Sequence, residues 1–515
     1  MNKRIHFAIS TAAALCWASN APGQFAPPGA QASGAQANQL PLSGRTGQAG
    51  GVTATQSAVP GTTNSVNTIN PAIQTQGPYA GSASSTGKMP FSGKLSLREA
   101  VNRGLEYNLG TVGLSLAMQQ AEGQQRVVRS ALMPNVNGTL SENVQQTNLR
   151  AQGLRISSPF PGFGIPGVVG PFNYFDLRAR LTQTLADFTA LNNYRSARET
   201  VRANGFFTQD SKDLVVLATG GAYLQVIAAQ ARVESAKAQL ETATALFNQT
   251  EQQRVVGLVA QIDVNKSQVQ VLTQRQRLAS LQNDLAKQKI NLARITGLPP
   301  NDRYELTDEV PFAAAPPVNQ EDAVAQALMQ RADIKGAEAQ IRAAELTVSA
   351  ARAERLPSLA LSGDYGVIGT NPSQSHGTFS LAGTLRIPIW QGGRTEGDIE
   401  QANAALSQRR AEMEDLKSRV ESEVRNAFLD LEAATSQVEV ARTNLDVTRE
   451  TLTLTRQRLE AGVTDTVEVS QAQATVATAE LDYINAVYAH NVAKLSLARA
   501  AGSANENLSR FFKLQ

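Results

Sequence analysis

The stretch Leu95-Ser96-Leu97-Arg98-Glu99-Ala100-Val101 opens a helical pattern that runs to about Leu132 and stops at Pro134. A second pattern opens at Asp322-Ala323-Val324 and stops at Pro357. Glu99 to Asp322 is 223 positions, and so is Pro134 to Pro357. Ala121-Glu122 matches Ala344-Glu345 at that shift, and Arg129 matches Arg352. A gapless match over a whole helix, ending both times at proline, is an internal duplication.

Working outward, each proline is followed by two segments that alternate apolar and polar residues. In the second copy Leu359, Leu361, Gly363, Tyr365 and Val367 share one face, with Ser358, Ser362 and Asp364 on the other. Phe379, Leu381, Leu385, Ile387 and Ile389 then alternate with Ser380, Thr384 and Arg386. The first copy repeats this with Phe175, Leu177, Ala179, Leu181 and Leu185 against Asp176, Arg178, Arg180 and Thr182, and more weakly from Val136 to Val144. Period two over about ten residues fits a membrane strand with one face on lipid, and equally a half-buried strand of a soluble hairpin. The first connecting loop carries an extra Pro159-Phe160-Pro161-Gly162-Phe163-Gly164, which lowers the repeat shift to about 205 beyond it.

Long helical patterns follow the strands. Val424, Leu431, Val438, Leu445, Leu452 and Leu459 recur every seventh residue, with Ala427, Ala434, Ala441, Thr448 and Thr455 three positions after the first five. Subtracting 205 gives Val226, Val233, Leu240 and Phe247, with Ala222, Ala229, Ala236, Ala243 and Thr250. A large residue at one seam position and a small one at the other predicts closely packed, left-handed coiled coils. The two long helices (about 190–255 and 394–460) would each extend about 100 Å. Segments at about 97–132, 263–296, 320–355 and 468–500 are half as long, so two stacked end to end match one long helix.

Four strands cannot close a barrel, and lipid tolerates no open sheet edge. If these strands span a membrane, several chains must share one barrel, since about eight strands is the practical minimum.

Composition narrows the function classes. Aromatics are 5% of the 515 residues, which suits narrow helical seams better than a thick core. A net charge of +3, without a basic stripe interleaved with aromatics, gives no sign of nucleic acid. Lys3 and Arg4, followed by the apolar run Ile5 to Trp17, predict a signal peptide over 1–24, cleaved between Ala18 and Gln24. Cys16, the only cysteine, lies within it, and Ala13-Ala14-Leu15 lacks the small residue a lipoprotein signal places directly before its cysteine. A mature chain without thiols has no disulfides, cysteine zinc sites or cysteine nucleophiles. No other apolar run approaches the roughly 20 residues of a spanning helix. Residues 25–92, rich in Gly, Ala, Gln, Ser, Thr and Pro, are expected to be a disordered leader. The first repeat then covers 93–300, a linker 301–319, the second repeat 320–503 and a tail 504–515.

Three motifs carry a family resemblance: LSLREAVNRGLEYN with LMPNVNG one helix later, IPIWQGGRTEGDIEQANAAL at 387–406, and GLVAQIDV at 257–264. Over about 93–505 the chain resembles the TolC-like outer membrane efflux proteins. The resemblance implies an internally duplicated α+β membrane fold, with an α-helical coiled-coil periplasmic tunnel continuous with a shared antiparallel transmembrane β-barrel. It also implies a homotrimer with a twelve-stranded barrel in the outer membrane of a Gram-negative envelope. The implied role is a passive exit duct for efflux or type I secretion, joined to a periplasmic adaptor and an inner-membrane pump, with no cofactor.

In that family the helix tips coil inward, an acidic ring narrows the opening and a salt bridge latches it. By position, the tip turns are Gly257 and Gly462, and Asp263 matches the acidic latch partner. Glu468 matches one ring carboxylate, but the second ring position is Gln471. The basic partner of Asp263 is replaced by Thr464, and the nearby aromatic by Leu459. The resemblance therefore implies a ring at half strength and no latch of the family's form. Taken alone, a helical carboxylate such as Glu468 is usually just solvated. A pore-facing ring of like charge would favour cations.

Other chemistry is thin. His6 falls in the signal, His376 in a predicted outer loop and His490 on a helix, none with metal-ligand spacing to another donor. Gly392-Gly393 lacks the rest of a phosphate loop and is expected, with Pro388, to shape the strand-to-helix turn. Trp390, Phe379 and Tyr365 fit either an interfacial aromatic girdle or local packing. No constellation of nucleophile, base or metal ligands points to an enzyme. The alternative function is an exported coiled-coil scaffold or periplasmic adaptor, although an adaptor should carry one helical hairpin rather than two.

Overall fold

The computed structural model describes residues 50–59, 68–83, 91, 93–151, 153, 166–300, 303–308, 312–313, 319–502 and 504. The signal peptide with Cys16, residues 25–49 of the leader, the Pro159–Gly164 insertion and the tail beyond 504 lie outside these.

Within the described residues the duplication is explicit. In chain order come a hairpin of β1 (Val52–Val59) and β2 (Thr68–Thr75), a 3-10 turn at Gly77–Ala80, and β3 (Lys94–Leu95). The first copy continues with α1 (Leu97–Tyr107), α2 (Leu109–Ser130), β4 (Asn135–Asn148), β5 (Val168–Ala186), α3 (Phe188–Val255) and α4 (Gln261–Thr296). After β6 (Glu305–Leu306), the second copy comprises α5 (Gln320–Gln330), α6 (Ala332–Ala353), β7 (Ser358–Gly369), β8 (His376–Arg386), α7 (Arg394–Glu460) and α8 (Thr466–Ala500).

Strands β4, β5, β7 and β8 form one antiparallel sheet in that order. Its register places Val136 opposite Leu181, Leu140 opposite Leu177, Leu177 opposite Val367, Tyr365 opposite Phe379 and Leu359 opposite Leu385. One face is thus largely apolar, interrupted by Glu142 and Asn173, which hydrogen-bond to each other, and its large side chains are exposed: Leu140 68%, Tyr365 68%, Phe379 80% and Leu381 70%. Leu185 departs from the expected alternation, because the register shifts between Thr184 and Ala186. On the other face Arg178 lies 3.3 Å from Asp176 and 2.5 Å from Asp364, and the Ser380 hydroxyl donates to Asp364. The sheet is open, with β4 and β8 as its edges.

Near the sheet the helices pack in the order α2, α3, α6, α7; toward the tips the order is α4, α3, α8, α7. The seams are those the heptads predict: Val226, Val233, Val424, Leu431 and Val438 are buried, as are Ala222, Ala229, Ala236, Ala243, Ala427, Ala434 and Ala441. Between the two levels, Leu95, Leu97, Val215, Val216, Tyr223, Leu292 and Leu495 form the main core. There the Tyr223 hydroxyl donates to the Leu95 carbonyl and to Asp308, whose carboxylate also accepts from the Leu97 amide that opens α1.

Four expectations need correction. Residues 52–59 and 68–83 are not a disordered leader. The β1–β2 hairpin lies on α3 and α8, and Ile73 fits over Gly221, where a Cβ would come within 1.8 Å of its Cδ1. The linker is partly structured, since β6 pairs in parallel with β3. A spanning-length apolar stretch does exist inside α3, with mean hydropathy 1.5 over 18 residues, but it is 72% buried against other helices. Finally, the helices preceding the strands are each broken, at Asn108 and Arg331, where ψ swings to 132° and 136°.

Candidate functional site: helix tips and strand-to-helix junction

Both tips end by the same backbone device. Gly257 (φ 77°) and Gly462 (φ 72°) adopt the left-handed conformation that favours glycine. The amides three residues past each helix close back onto it, Leu258 to the Gln253 carbonyl and Val463 to the Arg458 carbonyl. That six-to-one closure satisfies carbonyls that the helix end leaves free. The chain then restarts at once. Asp465 caps α8 by accepting from the amides of Val467 and Glu468, whereas the N-cap of α4 is Ala260, which offers no side-chain acceptor.

The tips differ in their charges. Glu468 is half exposed and lies 2.9 Å from Arg458, on the other side of the turn. Thr464 also donates to the Glu468 carboxylate. Asp263 instead pairs within its own helix with Lys266, at 3.6 Å. Within the chain Thr464 thus serves Glu468, and the Asp263 carboxylate is met by Lys266. Gln471 joins Asp263 in lining a cleft of about 330 Å³ between α4 and α8, together with Leu246, Lys266 and Gln270. Leu459 is half-buried in the last turn of α7. Glu468 is thus an acid whose charge is offset within the chain.

Arg458 escaped sequence reasoning. The signal was available: it stands ten residues before Glu468 across a glycine turn, and its repeat mate 205 positions earlier is the neutral Gln253. Further up, Glu480 accepts from Ser235 at 2.6 Å and from Arg449 at 2.9 Å, tying α8 to α3 and α7. Burial pushes its carboxyl up, but the hydrogen bonds from Ser235, Arg449 and Gln239 outweigh it and hold the group below its ordinary range.

At the opposite end of α7, Gly392 (φ 62°) and Gly393 (φ 82°) turn the chain out of the sheet just after Pro388. The Gln391 side chain accepts from the Thr395 hydroxyl and the Arg394 guanidinium, tying the turn to the first residues of α7. Arg394 reaches Glu354 and Arg355 reaches Glu396, pinning the start of α7 to the end of α6. Trp390 is 87% exposed in the single chain. His376 is the first residue of β8 rather than a loop residue. His490 is fully buried beside Phe312, with ring centroids 4.8 Å apart.

The family model described as outer membrane efflux protein matches residues 114–298 and again 323–503, once for each copy. The chain belongs to the outer membrane efflux protein family. Relatives of this family include outer membrane protein OprJ of Pseudomonas aeruginosa, 24% identical over 79% of this chain and 84% of its own length. Outer membrane protein TolC of Vibrio cholerae is 24% identical over 76% of this chain and 88% of its own. Among solved structures, the Campylobacter jejuni CmeC outer membrane channel superposes with a TM-score of 0.69 at 18% identity, covering 81% of this chain and 88% of that one. Family membership makes the chain an efflux channel protein of the outer membrane. It sets aside the scaffold and adaptor alternative, because both copies match the channel family.

Proposed function

We propose that three copies of this chain close a single twelve-stranded barrel continuous with one helical tunnel. The assembly serves as the passive exit duct of a tripartite efflux or secretion system, without turnover or cofactor. The observation that carries this reading is the sheet. It has two unpaired edges, β4 and β8, and an exposed face that is apolar except at Glu142 and Asn173. In lipid such edges must be satisfied, and head-to-tail pairing of β8 with β4 of the next copy does so.

The helices support the same closure. The outermost helices near the tips, α4 and α7, carry exposed apolar stripes, Ile262, Val269 and Leu272 on one and Val440, Val447 and Leu454 on the other. Joining unlike edges in a ring buries both stripes. The polar sheet face, with Arg178, Asp176 and Asp364, then lines the lumen, while Trp390, Phe379 and Tyr365 meet lipid. The tips at Gly257 and Gly462 form the periplasmic end, open to an adaptor and an inner-membrane pump, with Glu468 facing the pore.

The test is outer-membrane fractionation followed by unheated and heated electrophoresis. A trimer in the outer membrane that dissociates only on heating supports the reading. A monomer under gentle extraction overturns it.

A further inference from the structure

The two helix breaks lie 223 positions apart and are locked by different chemistry. At the first, buried Asn108 accepts from the Gly110 amide and donates to the Tyr79 carbonyl, while Tyr79 covers Gly110 too closely for any Cβ there. That lock is neutral. At the second, the Arg331 guanidinium, only 2% exposed, binds Asp333 at 2.7 Å, Glu423 at 2.6 Å and the Ala500 carbonyl at 3.3 Å. Beside it Arg499, at the end of α8, pairs with Asp210 of α3 at 2.6 Å. Three carboxylates share two guanidiniums where α3, the α5–α6 break, α7 and α8 meet. The first copy has Asn108, Gly110 and Ala218 at the positions of Arg331, Asp333 and Glu423.

We propose that the Arg331 break is a proton-responsive joint with Asp210 as its titrating group. The Asn108 break meets Asp210 only indirectly, through Tyr79. The groups facing Asp210 are Arg499 from α8, Arg331 and Asp333 from the break, Asp213 on its own helix, and Tyr79 from the N-terminal segment beside Ser211. Glu423 of α7 acts through Arg331. Burial is the largest influence on the Asp210 carboxyl and raises it above the usual range. Asp333 and Asp213 add to that, and the arginines only partly offset it. The sign follows by linkage. A closed joint that holds the carboxyl above its solvated pKa binds the proton better than an open one, so acidification tightens the joint and a rise in pH loosens it.

Hydrogen exchange of the detergent-solubilised full-length protein, followed through a pH series from about 8 downward and corrected for intrinsic exchange, tests this. Segments 320–334 and 495–502 should gain protection as pH falls, while 100–112, reached only through Tyr79, should gain clearly less. Asp210→Asn should hold the second joint protected at every pH. Should that variant not assemble, Arg499→Gln, which strips Asp210 of its nearest cation, must move the transition to higher pH. An equal response at both breaks, wild-type pH dependence in Asp210→Asn, or an unmoved transition in Arg499→Gln would overturn the proposal.

Discussion

Arg458 and Glu468 form an ion pair 2.9 Å long across the second helix tip, and the first tip has Gln253 and Asp263 in their places. The duplication thus provides one tip stapled across its turn and one that is not. Since half-exposed pairs contribute up to about 1 kcal/mol, Arg458→Gln should shift tip opening by no more than about fivefold. It also frees the carboxylate, so cation preference in single-channel recordings should rise, and Glu468→Gln should lower it. Unchanged selectivity in both variants would remove Glu468 from the pore.

The sheet makes a face-specific prediction. Leu140→Arg, on the apolar face, should cost about 2–4 kcal/mol if that face meets lipid, and assembly into outer membranes should drop accordingly. Asn137→Arg, on the polar face of the same strand, should be tolerated. Equal yields of the two variants in outer-membrane fractions would contradict the assignment of faces.

Gly221 and Ile73 test the N-terminal hairpin. Gly221→Ala places a methyl against Ile73, and crowding of this kind costs about 1–3 kcal/mol. We expect lower thermal stability and faster proteolysis within residues 50–83. Adding Ile73→Ala should restore both. Failure of the double variant to recover would mean that the hairpin does not sit on α3.

His490 gives a pH dependence with a definite sign. Burial, helped by Lys494, lowers its pKa from 6.5 to about 4. Between those values the unfolded chain takes up a proton that the folded chain refuses, so stability falls as pH drops from 6.5 toward 4. The loss is about 3 kcal/mol and stops below the folded pKa. Its ring nitrogens have no hydrogen-bond partner among the described residues. His490→Leu should therefore flatten the acid limb of a denaturation series, and an unchanged limb would assign the loss to other groups.

What was legible in the sequence was periodic. The 223 and 205 shifts, the heptad seams and the sheet alternation fall where the residues predict, because period two and period seven are set by which side chains must be buried. The helix breaks were not legible. Asn108 and Arg331 sit inside unbroken helical patterns, and their backbone turns are held by distant partners, Tyr79 for one and Glu423 with Ala500 for the other. The β1–β2 hairpin was missed for a related reason. Its Thr, Gln, Ala and Pro composition resembles a linker, and its place depends on the room that Gly221 leaves for Ile73. At the tips, aligning Asp263 with Thr464 overlooked Arg458, which only the closed turn brings to Glu468.

The central claim, that separate copies close one barrel by joining β8 to β4, is tested most directly by cysteine cross-linking in outer membranes. Ser141→Cys on β4 would be combined in turn with cysteine at His376, Thr378, Ser380 or Ala382 on β8, all on the polar sheet face. At the correct register, oxidation should produce a reducible ladder ending at a covalent trimer. Membrane-inserted protein that yields only monomer at every register would contradict the shared barrel.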